Sequence, residues 1–291
     1  MMAQPSCYKG SRVALLTQHG KEAVIAPVLE PILGCSIELV TGFDTDQLGT
    51  FTRETPRHGT QLEAARRKAR KGMELAHALQ GIASEGSFGP DPHTGMFPWN
   101  VELVVWIDEH LGIEVVGMAQ GAAPNDHIQS GDWQAVAEFA KRVGFPGHHL
   151  VLRPDGQSDT RICKDIADWT RLKTCFDRCV AQSRCGKVFV ELDLRAFAHP
   201  RRMKYIEQAA SDLLQRLQST CPACSAPGFG SAHGNRDCRA HRVACQPKVI
   251  AAKCGRACAV SIGASLSGQT GQQLTLRIVL TAILKALTNT L

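Results

Sequence analysis

Apolar and polar positions follow two periods along this chain. Ser11 to Thr17 is a mostly apolar run of strand length, closed by the polar turn Gln18-His19-Gly20-Lys21. Apolar residues at helical spacing follow to about Leu33, where Gly34 is placed to stop a helix. Ser36 to Val40 predicts a second strand. Strand, turn, helix and strand are the opening of an α/β sheet. Leu62 to Leu79, rich in Ala, Arg, Lys and Glu, predicts a strong helix. Gly81 to Ser84 predicts a short strand feeding a glycine-rich turn from Glu85 to Pro90. Val101 to Ile107 and Glu114 to Met118 pair as a hairpin about Gly112, and Trp133 to Val143 is helical. His148 to Arg153, Asp165 to Ala181 and Val188 to Leu192 give strand, helix and strand. In Pro200 to Leu217, the residues Met203, Ile206, Ala210, Leu213, Leu214 and Leu217 make one apolar helix face.

The pattern predicts an α/β fold with a mixed central sheet flanked by helices. It divides into an N-terminal α/β lobe over 8–145, a second α/β lobe over 146–218, a truncated zinc-ribbon start over 219–229, and a tail over 230–291. At 291 residues and 44% apolar the chain can bury a sizeable core. No leader-like apolar stretch opens the chain. The apolar end from Leu274 to Leu291 is interrupted by Arg277 and Lys285, too soon to cross a membrane. A cytoplasmic protein without a membrane partner is expected.

The net charge of +6 invites a nucleic-acid partner, but its distribution argues against one. Eight of the 33 basic residues and one of the 27 acidic residues lie from Ser231 onward, leaving a body of 25 against 26. The basic tail has no aromatic residue on which a base would stack. Of the twelve cysteines, Cys7, Cys35, Cys163, Cys175, Cys179 and Cys185 are scattered and read as small buried hydrophobes. Cys221-Pro-Ala-Cys224 has the spacing of half a zinc site.

Five clusters could carry chemistry. Thr17, His19 and Lys21 lie at a strand-to-helix turn, where backbone N–H groups and a lysine suit phosphate; the alternative is a solvated turn with a capping threonine. Asp44 and Asp46, followed by Glu54, alternate with hydroxyls in a loop that suits an oxygen-bound cation such as magnesium; the alternative is an Asx-turn loop. Arg66 and Lys68 belong to a charged helix face, either solvated or clamping phosphate. Glu85, before Gly86, can hold a metal at a strand end. Glu191, Asp193 and Arg195 fall on one face if the strand stays extended, as a salt-bridge set or a second ligand-binding edge.

Taken in order, Thr17-Gln18-His19-Gly20-Lys21-Glu22, Phe43 to Glu54, Ala65-Arg66-Arg67-Lys68-Ala69, Ala83 to Pro90, Leu152 to Gly156 and Asp193 to Ala196 resemble the bacterial domain-of-unknown-function family 6671. The resemblance covers roughly Tyr8 to Phe229. Leu192, Leu194 and His199 depart from the family pattern, which has Thr, Met and Asn there. The order is also similar to nucleoside triphosphate pyrophosphatases of the inosine triphosphatase type. That likeness implies phosphate held by Lys21 and Lys68, and magnesium held by Glu54 and Glu85. The expected function is a magnesium-dependent phosphohydrolase or nucleotide-binding protein acting on a small molecule. The alternative is a non-catalytic ligand-binding or interaction module that has lost its zinc ribbon.

The resemblance implies further cysteine pairs after Phe229, ahead of which the family has a Trp. Back-translation from Gly230 with one base restored allows Trp, then Gly-Leu-Pro-Cys, Cys-Gly-Leu-Pro-Thr and Trp-x-Cys-Val-Arg-Cys. The tail therefore reads as out of frame and without a packed fold. Cys238, Cys245, Cys254 and Cys258 would be accidents, and Cys221 and Cys224 would have lost their partners. Two thiolates leave half of a tetrahedron to water. We predict that the chain purified without added metal carries substoichiometric zinc, and that restoring the base before Gly230 gives one zinc per chain. Metal analysis finding one zinc per present chain refutes the orphaned pair.

Overall fold

The structure is a computed structural model, and it describes residues 6–43, 59–123, 126–222, 225–232 and 235–237. The chain divides into two units, 1–253 and 254–291. All described residues belong to the first.

That unit is mixed α/β, with a five-stranded sheet, a four-stranded sheet, a two-stranded ribbon and five α-helices among the described residues. The first sheet contains β1 (Arg12–Leu16), β2 (Ser36–Val40), β3 (Gln80–Pro90), β4 (Pro98–Asp108) and β5 (Ile113–Ala122), in the order β2-β1-β3-β4-β5. β1 runs parallel to β2 and β3, whereas β3, β4 and β5 are antiparallel in turn. Helix α1 (Glu22–Leu33) connects β1 to β2 and ends at Gly34, whose left-handed backbone (φ 67°) lets its N–H reach Glu30 O. Helix α2 (Gln61–Ala76) starts with a reciprocal cap between Thr60 and Glu63.

Alternation along the central strands divides the core. Ala14, Leu16, Ala83, Val105 and Ile107 face Ala65, Ala69 and Met73 of α2. Val13, Leu15, Ile82, Val104, Trp106 and Val115 face α1 and α5 (Pro200–Gln218), which contributes Ile206, Ala210 and Leu213. The result is helix, sheet, helix.

The second sheet is antiparallel throughout: β6 (His127–Ser130), β9 (Val188–Leu192), β7 (Leu150–Pro154) and β8 (Cys163–Ile166), in that order. Its core joins Leu150, Leu152, Val190 and Leu192 to Val136 and Phe139 of α3 (Trp133–Arg142) and Leu172 and Phe176 of α4 (Trp169–Gln182). β6 and α3 thus belong with the second sheet although they precede residue 145, and α5 returns to the first.

Two elements differ from the sequence expectation. Glu85 to Pro90 is not a turn: β3 continues through it because β4 pairs along its whole length, from Gln80↔Asp108 to Pro90↔Pro98. A strand, β8, stands where a helix is expected from Asp165. The helix begins at Trp169 because the Asp168 carboxylate caps it, accepting from Arg171 N at 2.8 Å. After α5, Ser225 N donates to Cys221 O and Cys221 N to Ala226 O, closing a turn. β10 (Gly230–Ala232) and β11 (Asn235–Asp237) pair antiparallel at the start of the segment read as out of frame. The expectations for Cys224 and for the tail beyond Asp237 lie outside the described residues. No helix among the described residues is long and apolar enough to cross a membrane.

α5 approaches β5 at backbone distance. A Cβ on Gly117 would lie 2.2 Å from Ala209 O and 2.4 Å from Leu213 N, both main-chain atoms that no rotamer change can move. We predict that Gly117→Ala destabilises the fold by roughly 1–3 kcal/mol, the usual cost of overpacking, in urea denaturation. A change within about 0.5 kcal/mol, the range of ordinary surface substitutions, contradicts the close approach.

Candidate functional site

The site is built where β1 ends and α1 begins. Thr17, almost fully buried, closes β1, and Gly20 (φ 66°) turns the chain. Lys21 takes the N-cap position of α1 without capping it through its side chain. The side chain runs inward instead, is 5% exposed, and its Nζ donates to the Ser84 carbonyl of β3 at 2.8 Å. Burial, then the Arg202 guanidinium and the Lys68 ammonium, lower its pKa from the ordinary lysine value to about 7, against the pull of Glu85 and Glu102.

Two ion pairs straddle β3 beside it. On the α2 face, Lys68 Nζ pairs with Glu85 Oε1, and Glu85 is only 3% exposed. Gln61 steadies this edge: its Nε2 donates to the carbonyls of Glu85 (2.7 Å) and Val101 (2.9 Å), and its Oε1 accepts from Ser87 Oγ (2.9 Å). On the α5 face, Arg202 pairs with Glu102, at 1% and 0% exposure. The Arg202 Nη1 also donates to Leu194 O, and Asn100 Nδ2 donates to Glu102 Oε1 at 3.0 Å. Gly86, opposite Glu102 in register, is required here. A Cβ would sit 2.3 Å from Glu102 Oε1 and 2.4 Å from Arg202 Nη2. Among the described residues, three cations therefore meet two carboxylates.

The first turn of α5 completes the site. His199, fully buried, caps the helix by accepting from Arg202 N through Nδ1 at 3.2 Å. Its ring lies 4.6 Å from that of His148 and 5.9 Å from that of Phe88. Burial, then Arg201 and His149, lower the His148 pKa. The buried Nε2 of His148 and Nδ1 of His149 have no hydrogen-bond partner among the described residues.

Of the sequence-predicted residues, Thr17, Lys21, Lys68 and Glu85 gather around β1 and β3. The ring of His19 reaches sideways to Phe197 at 5.7 Å. Arg66 does not join them. Two positions from Lys68 on a helix, it points away and makes a bidentate pair with Glu114 at 2.7 and 2.8 Å. Asp44, Asp46 and Glu54 lie outside the described residues. Glu191, Asp193 and Arg195 do not share one strand face, because β9 ends at Leu192. Glu191 pairs with Arg153 of β7; Arg195 chelates buried Asp193 and reaches Asp165 at 2.7 Å. Arg195 also lies over the Phe197 ring at 4.8 Å, which links this set to His19.

Arg202, Glu102, Asn100 and Gln61 are the residues that sequence reasoning missed. A signal existed for two of them: Asn100 and Glu102 stand in period two with Val104 and Trp106, which places polar groups on a core-facing stripe.

Fold and site together define a mixed α/β protein with a buried ion cluster just past the carboxyl end of β1, against the middle of its parallel neighbour β3. The chain belongs to the family described as Domain of unknown function (DUF6671), which matches residues 68–256. That match begins inside α2 and runs past Phe229, the limit expected from the sequence motifs, into the segment read there as out of frame. No curated protein matches the chain.

As a solvated turn acid, Glu85 would tolerate loss of its charge. Its burial against Lys68 reverses that expectation. Glu85→Gln leaves an ammonium buried without its counter-charge, and we predict a loss on the order of 3 kcal/mol in denaturant unfolding. An unchanged midpoint would show that Lys68 has another partner.

Proposed function

We propose that this chain binds a phosphorylated small molecule, of the nucleoside triphosphate class, at the Lys21 turn. The observation that carries this reading is the Lys21 ammonium. It has three donors and spends one on Ser84 O, in a cluster where, among the described residues, cations outnumber carboxylates. A phosphate oxygen meeting the remaining donors would balance that charge. Two further features support the reading: the position just past the carboxyl end of β1, on the side where open α/β sheets bind ligands, and the start of α1, whose dipole favours an anion.

The finer reading is magnesium-dependent hydrolysis of that ligand. A divalent ion would neutralise phosphoryl oxygens and polarise the bond to be broken. Asp44, Asp46, Glu54 and Glu85 are the acids proposed to hold it. Glu85 is the member of that set within the described residues, and a cation there would have to displace Lys68 Nζ. That pairing favours a second reading, binding without hydrolysis.

The protonation of Lys21 gives the test its sign. An anion binds the ammonium form, and in the free protein that form is lost as pH rises through about 7. Affinity should therefore fall with increasing pH, by up to about tenfold per pH unit above neutrality. Titrating a nucleoside triphosphate with and without magnesium between about pH 7.5 and 9.5, where its own charge is constant, reads this directly. Lys21→Met should weaken binding at least about tenfold and flatten the slope. Equal affinity in the two proteins would remove the proposal. Phosphate release in the magnesium arm selects the hydrolase, and binding without release selects the second reading.

A further inference from the structure

Away from this cluster, three cysteines converge in the second sheet. Cys163 lies on β8; Cys175 and Cys179, four residues apart, share one face of α4 and point back at it. The sulfurs of Cys163 and Cys179 are 3.6 Å apart. Arg178 Nη2 donates to Cys163 Sγ at 2.9 Å and lies 3.9 Å from Cys175 Sγ. Scattered cysteines read as small hydrophobes, but a hydrophobe does not attract a guanidinium. The contact is one that negative charge on Cys163 would strengthen.

A metal would be the other reason to gather three thiols. The guanidinium aimed at Cys163 opposes a cation at that sulfur. Among the described residues no group of three or more His, Cys, Asp or Glu could hold a metal ion. What remains is thiol chemistry between neighbours of unequal acidity. The hydrogen bond from Cys179, then Arg178, brings the Cys163 pKa down to about 5, while Cys179 is pushed far up by that same bond and by burial. Cys175 is pushed up by burial and by the Cys163 charge. Arg178 thus favours charge on Cys163 over its nearest neighbour, the division that an attacking and a resolving cysteine need.

We propose that Cys163 and Cys179 form a reversible redox pair that reacts with hydroperoxides. The Cys163 thiolate attacks the terminal oxygen of the peroxide. The S–O bond forms, the O–O bond breaks, and hydroxide or alkoxide leaves, giving Cys163 sulfenic acid. Cys179 then attacks that sulfur. The S–S bond forms, the S–O bond breaks, and the Cys179 proton leaves with the hydroxyl as water. A dithiol reductant returns the pair by exchange, itself becoming the disulfide. Cys163 is 8% exposed and Cys179 is fully buried, with the solvent-exposed Arg178 lying against Cys163. This suits a small oxidant that reaches Cys163 first.

The test uses the full-length chain, reduced, freed of reductant and treated with one equivalent of hydrogen peroxide. Remaining thiols are then alkylated and peptides are mapped by mass spectrometry. The expected product is a Cys163–Cys179 disulfide, formed at least tenfold faster than oxidation of the exposed Cys7 or Cys185. It should be reversed by dithiothreitol. In Cys179→Ser, Cys163 should accumulate as a sulfenic acid trapped by dimedone; in Cys163→Ser, neither the adduct nor the disulfide should form in this segment. The circular dichroism of both variants establishes that they fold. Prior oxidation of Cys7 or Cys185, or a Cys163–Cys175 link in place of Cys163–Cys179, would overturn the pair.

Discussion

Arg202 is the charge on which the site depends. It is buried with Glu102 inside the first sheet's core, and each offsets the cost of burying the other's charge. Three features of the chain accommodate them. Gly86 leaves the space, Asn100 gives Glu102 a further donor, and Leu194 O takes another guanidinium N–H. Because Arg202 sits in the first turn of α5, this pair also fixes the helix against β4. It brings the segment from Asp193 to His199 against the turn after β1, where Phe197 meets His19.

Lys21 is set by this arrangement. An isolated buried ammonium is costly, and here the nearby Arg202 adds to the cost while Glu85 and Glu102 reduce it. The lysine is left poised near neutrality, a condition that structure alone does not require. Apolar residues of similar size would pack the same space without it. Perturbed groups of this kind cluster where proteins bind or react, and for that reason the phosphate proposal is centred on Lys21. The cysteine pair in the second sheet follows the same logic at a different place, with Arg178 favouring one thiolate over its neighbours.

Much of the framework was legible in the chain. Periodicity located α1 with its stop at Gly34, the β4–β5 hairpin and α5, since each depends on local pattern and capping. The Thr17 to Lys21 turn and Glu85 stood out because polar groups interrupt apolar strands there, and the structure brings Lys21 and Glu85 near each other. Glycine misled at Glu85 to Pro90: the residues look like a turn, but they are strand because a partner strand of equal length pairs with them. Glycine at 86 serves a buried ion pair rather than chain reversal.

The sequence by itself determined the α/β class, the family and the existence of a cationic turn after the first strand. These follow from short-range spacing, which survives without knowledge of the fold. Only the tertiary structure decided which charges meet. Arg66 and Lys68 are equivalent in the sequence, yet one is held at Glu114 and the other at Glu85, because two positions on a helix point to opposite sides. Glu102 and Arg202 are a hundred residues apart and paired. Cys163 and Cys179 lie on different elements with their sulfurs in contact. Pairings of that kind depend on how helices dock on sheets, and side-chain identity along the chain does not encode the docking in any local pattern.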